Sequence, residues 1–248
     1  IHQLGVRTAL AIVGLGISLL LLLASRWMTF PPHIPPSDSN SNPPKQAIPH
    51  HSSTPWFAAL LTNRKFLTLW ICFFLGTFLG LTAIGISASV GQELFHLSPL
   101  QAASWLSLFA LFNGLARPPL GALADRFPPS WLAGFLYFIA GTASLLFYFL
   151  PKTSVLLYVS GFSALWFTLG GWLALAPATT ARLFGQQHFA RNYGLLFTAY
   201  GFGALSGTLS AGRLRDFTGS YVSVFLLLAA VAFLGIILAS QIRTTKSN

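Results

Sequence analysis

Residues 112–127 read FNGLARPPLGALADRF, and this stretch decides how the rest of the chain is read. It continues an apolar run, yet it holds Arg117 directly before Pro118 and Pro119. A charge at the centre of a membrane helix costs about 2.5–3.5 kcal/mol even on lenient insertion scales. Each proline also removes a backbone donor. The surroundings explain why the cost arises. The chain has 248 residues, of which 54% are hydrophobic and only 7% charged. Soluble domains carry about 25% charged residues, so this is the composition of an integral membrane protein. The formal charge is +10, but the basic residues lie in short segments between apolar runs. That is the pattern of loops facing the cytoplasm, and it argues against a nucleic-acid-binding stripe.

Seven apolar runs follow one another, at about 8–25, 66–90, 99–122, 131–150, 154–176, 193–212 and 220–240. Each has the length of a membrane-spanning helix. They are continuously apolar rather than alternating, so helices are predicted and barrel strands are not. Residues 30–62 differ. FPPHIPPSDSNSNPPKQAIPHHSSTPW is rich in Pro, Ser, Asn and His and cannot bury a core, which predicts a linker. His33, His50 and His51 in it have no cysteine or acidic partners at ligand spacing, so no metal site is read there. The expected organisation is one helix (1–29), a linker (30–62) and six helices (63–248). The linker side collects nine basic residues and the opposite side Arg7, Lys152, Arg213 and Arg215, with Arg117 set aside. Nine against four predicts that the linker and the C-terminus face the cytoplasm.

The end of the opening stretch has an echo. GALAD at 121–125 closes the third run and GRLRD at 212–216 closes the sixth, both reading Gly-x-Leu-x-Asp. Each lies where the second helix of a three-helix group meets its loop. Three helices per group force the second group to be inverted, an element that recurs in secondary transporters. Gly121 and Gly212 would allow close helix approach, and Asp125 and Asp216 could pair with a neighbouring arginine such as Arg126. Gly76/Gly80 and Gly203/Gly207 are small-xxx-small pairs that predict further close crossings.

Arg117 lies eight residues before Asp125, about 12 Å along a helix. It is either a snorkelling anchor or a receptor for an anion, since a guanidinium is permanently charged and binds a carboxylate through two parallel bonds. Pro118 and Pro119 leave the carbonyls of Gly114 and Leu115 without helical donors, which predicts a kink, with Arg117 pushed from helical geometry. Asn113 is one turn before Arg117 on the same face. The four carboxylates, Asp38, Glu93, Asp125 and Asp216, lie away from the helix centres. No nucleotide-binding loop, metal cluster or hydrolytic triad is apparent, so neither an enzyme nor a cofactor is expected.

With its linker, its three-plus-three repeat and its ADRF turn, the chain resembles the C-terminal half of a major facilitator superfamily transporter. FNGLARPPLGALADRF and RLFGQQHFARNYGLLFTAYGFGALSG (182–207) resemble the oxalate/formate antiporters and the related monocarboxylate transporters. The resemblance implies an all-α bundle, alternating access by two rocking halves, and about five further helices in an N-terminal half that would be its partner. It implies that Arg117 binds a substrate carboxylate. Monocarboxylate transporters have an aspartate where this chain has Asn113, which puts proton coupling there in doubt. Oxalate carriers have a lysine where this chain has Tyr200, so a monoanion suits it better than a dianion. Trp166 and Trp172 could wall the pocket. The expected function is therefore a multi-pass carrier of small organic anions in a plasma or bacterial inner membrane. The alternatives are a carrier of drugs or sugars and a membrane scaffold or receptor fragment that transports nothing.

Overall fold

The computed structural model describes residues 6–26, 56–150 and 154–242. The chain divides into two units, 1–52 and 53–248. In the first, α1 (Val6–Ser25) is a single apolar helix. The second holds α2 (Trp56–Leu61), α3 (Arg64–Phe95), α4 (Pro99–Arg126), α5 (Pro129–Phe149), α6 (Val155–Phe184), α7 (Phe189–Thr218) and α8 (Val222–Ala239). Each of the seven apolar runs forms a helix, and the short α2 occupies the end of the expected linker. Most of that linker, with its histidines, Asp38 and Lys45, lies outside the described residues, as do Lys152, Arg243 and Lys246.

The helix starts are legible in the side chains. Asn63 caps α3, its Oδ1 accepting from the N–H groups of Lys65 (2.9 Å) and Phe66 (3.4 Å). Ser98 and Gln101 form a reciprocal capping box at α4, with Pro99 in the first turn, where its missing N–H costs nothing. The ends run further than the apolar runs. α6 continues through Pro177 to Phe184, because its second half is packed against α3 and α4 and tertiary contact outweighs the local break.

By length and composition α3, α5, α6 and α8 are able to cross a membrane. α4 and α7 have 28 and 30 residues, long enough to span, but they are less apolar. The packing follows the three-plus-three division. α4 packs chiefly on α6, α7 on α3, and α5 on α8, so the second helix of each group lies on the first helix of the other. The predicted close crossings occur at the paired glycines. Gly76 and Gly80 face Trp172 and Leu169 of α6, while Gly203 and Gly207 face Thr77, Phe78 and Thr82 of α3. A Cβ at any of the four would collide with these neighbours.

Both ends of the bundle are fastened across groups. At one end, Nη1 of Arg182, near the end of α6, donates to the carbonyls of Ala124 (2.8 Å) and Phe127 (3.0 Å) at the end of α4. At the other, Arg215, near the end of α7, donates through Nε and Nη2 to one Glu93 oxygen near the end of α3, at 3.2 and 3.0 Å. The two fastenings are related as the repeat is. Each joins the last turns of a first helix to the Gly-x-Leu-x-Asp end of the other group's second helix.

Candidate functional site

α4 carries the proposed anion receptor and α6 supports it. Contrary to the sequence expectation, Arg117 keeps helical geometry, and α4 is one helix through Pro118 and Pro119. The reason is packing on both sides of the break. Ala116, Leu120 and Ala124 are buried, and Leu120 lies against Gly171 of α6. The lost Gly114 and Leu115 acceptor bonds therefore leave two open rungs inside a held helix.

Arg117 is exposed, and its Nη2 donates to Asn113 Oδ1 at 3.3 Å. Asn113 in turn donates from Nδ2 to the backbone carbonyl of Trp166 on α6, at 3.0 Å. A guanidinium has five N–H donors. Among the described residues one is engaged, and the engaged one is tied through Asn113 to the α6 backbone. The arrangement holds a cation from behind and leaves its remaining donors to an incoming acceptor. Gly170 makes this approach possible: a Cβ there would strike the Asn113 carbonyl and the Ala116 side chain. The only sign of that in the sequence is the Gly170–Gly171 pair inside an apolar helix.

The other expected site residues divide. Trp166 stands beside Asn113 and packs on Phe109, with ring centroids 5.9 Å apart, and its buried indole N–H has no partner among the described residues. Trp172 does not wall a pocket with it. It is 1% exposed, wedged between Phe73 and Tyr137 in the core. Six residues turn a helix by about 240°, so the two tryptophans of α6 point to different neighbours. Tyr200 is half-buried on α7 and stacks on Phe197, with centroids 5.0 Å apart, in a ladder that continues to Tyr193 and Phe189. Since α4 packs on α6, α6 on α3 and α3 on α7, Arg117 and Tyr200 lie on helices that flank the α3–α6 pair.

The repeated motif acts through the Ala124 carbonyl in its first copy and Arg215 in its second rather than through its glycines. Gly121 and Gly212 have open space where a side chain would stand, so neither is at a close crossing. Asp125 and Arg126 are exposed, and Asp216 meets Arg215 only at 3.6 Å on an exposed surface. The fastening residues Arg182 and Glu93 were not singled out from the sequence, because each lies far along the chain from its partner.

The profile of the Major Facilitator Superfamily matches residues 1–178 and, again, 75–246. The chain belongs to the major facilitator superfamily. Among curated superfamily relatives, it is 28% identical over 182 residues to the "Oxalate:formate antiporter" of Oxalobacter formigenes, covering 73% of this chain and 43% of that one. It is 29% identical over 197 residues to "Monocarboxylate transporter 14" of Mus musculus, covering 75% and 36%. An "Uncharacterized MFS-type transporter YhjX" of Escherichia coli K12 is 27% identical over 150 residues, covering 60% and 37%. The matched region is thus less than half the length of each relative. Membership and the apolar helices make this an all-α, multi-pass membrane protein of a transporter superfamily.

Proposed function

We propose that this chain forms part of a carrier for small organic anions, suited to monocarboxylates, in which Arg117 binds the substrate carboxylate. The observation that carries the reading is the Arg117–Asn113–Trp166 relay: a permanent cation on α4 that, among the described residues, is held by one hydrogen bond with its other donors unengaged. Asn113 orients the guanidinium, and Tyr200 supplies a hydroxyl where a second cation would be needed to hold a dianion. The names of the matched antiporter and monocarboxylate relatives support the substrate class. In this reading residues 1–29 are the last helix of a first half, 30–62 the cytoplasmic connector and 63–248 the second half. A pocket between two halves then opens to either side in turn. Binding and release at Arg117 need no chemistry beyond exchange of hydrogen-bond partners.

The test is uptake of labelled small carboxylates into vesicles containing the intact carrier, with Arg117→Gln beside the native protein. Loss of uptake in a correctly inserted variant supports the assignment. Native uptake with unchanged affinity refutes it. Indifference of transport to competing mono- and dicarboxylates would instead favour a carrier of drugs or sugars.

A further inference from the structure

A second site lies on the outer side of the bundle, between the beginning of α5 and the end of α8. A cleft of about 550 Å³ opens there. Its two ends differ in chemistry. Ser130 and Ser240 line it at the helix ends, while Gly134, Phe138 and Ile236 line it further in. Gly134 has nothing within 4 Å of where a Cβ would stand, so the space beside it is open. Phe138 and Trp131 are 63% and 54% exposed. Both belong to α5, which with α8 is among the helices apolar and long enough to cross a membrane. What surrounds this cleft is therefore bilayer, and its polar end lies at the bilayer's edge.

The dimensions and charge narrow the occupant. From Ser130 to Phe138 is eight residues, about 12 Å along α5, close to the depth of one leaflet of a 30 Å hydrocarbon core. Trp131 stacks between Phe127 (5.2 Å) and Phe135 (5.8 Å), a flat apolar wall of the kind that settles at headgroup level. Two cations stand at the same corner. Arg126 precedes Phe127 and is exposed, and Arg182 donates to the Phe127 carbonyl. Among the described residues Asp125 is the one acid beside them, which leaves the corner net positive. A polar end beside cations and an apolar end one leaflet deep match an anionic head on a hydrocarbon chain.

We infer that the α5–α8 cleft binds one anionic phospholipid, with its phosphate at the Ser130, Ser240 and Arg126 end and an acyl chain running past Gly134 to Phe138. The site is separate from Arg117 and holds whether or not the carrier moves carboxylates. It lies on the seam where α5, the end of the first group, packs on α8, the end of the second.

The experiment uses the intact carrier in vesicles of phosphatidylcholine mixed equally with phosphatidylglycerol. A trace of either lipid carries a photoreactive diazirine on its acyl chain, and adducts are mapped by mass spectrometry. The phosphatidylglycerol probe should label peptides containing 130–138 and 236 about fivefold more than the phosphatidylcholine probe. Gly134→Leu, which fills the open space, should abolish that labelling while labelling elsewhere on α8 persists. Arg126→Gln alters only an exposed charge and should reduce the preference without disturbing folding, which keeps the test valid if Gly134→Leu assembles poorly. Equal labelling by both probes would overturn the proposal, as would labelling unchanged in both variants. So would exclusion of both lipids from the cleft, the result expected if a second protein copy covers it.

Discussion

At Arg117, the proposed receptor role rests on geometry as much as on charge. A lysine in its place would keep the cation but not the planar fork that meets both oxygens of a carboxylate. Hydrogen bonds to charged groups contribute about 1.5–3 kcal/mol. Arg117→Gln should therefore weaken anion binding by about tenfold or more, and Arg117→Lys should recover only part of it. Competition binding measures both. Asn113→Ala cuts the guanidinium from its tether to α6 while leaving the charge in place. It should raise the half-saturation concentration severalfold with little change in maximal rate. A fall in maximal rate alone would instead assign Asn113 to the conformational step. Tyr200→Lys adds a second cation on α7, beside Phe197. Dicarboxylates should then compete better than they do against the native protein, and no change in a competition assay would remove Tyr200 from the site.

Among the elements, the α4–α6 pair carries the proposed receptor, and its closeness rests on Gly170. A side chain there meets backbone at Asn113 rather than a flexible tip, so α4 must shift to admit it. Overpacking of this sort costs about 1–3 kcal/mol. Gly170→Leu should lower the melting temperature and weaken anion binding together, because the same displacement breaks the Asn113–Trp166 bond. Gly121→Leu, on the same helix but with open space around it, should leave melting near native. A thermal-shift assay on the pair makes the comparison. These elements also mark how far the sequence could be read. The helices were legible because long, continuously apolar runs admit little else, while the caps at Asn63 and Ser98 came only with the structure. Arg117 was legible because an arginine before two prolines in such a run is costly. Arg182 and Glu93 were not, since each acts on a residue 55 or more positions away with no local pattern to betray it, and Gly170, which meets Asn113, is marked only by the glycine beside it. Trp172 was misplaced for the same reason. Its identity said aromatic, but the face of α6 on which it stands is set by packing on Phe73 and Tyr137.

For the whole molecule, the two end fastenings make a statement about topology. Arg182 holds the end of α4 and Glu93 the end of α7, and these ends lie at opposite extremes of the bundle if the second group is inverted. Each fastening should then be a local device on its own membrane face. Reversing one pair tests whether the charge or the connection matters: Glu93→Arg should destabilise the protein, and Glu93→Arg with Arg215→Glu should recover much of the loss. Inversion itself is open to a chemical measurement, because the chain's one cysteine, Cys72, is buried and will not react. Asp125→Cys and Asp216→Cys each put a thiol on an exposed position at the end of one Gly-x-Leu-x-Asp motif. With a membrane-impermeant maleimide and sealed vesicles of known orientation, the first should react only from the cytoplasmic side and the second only from the other. Reaction of both from one side would defeat the inverted repeat. Reaction of both from the reversed sides would keep the repeat and turn the molecule over, because the excess of positive charge that orients it is only nine against four.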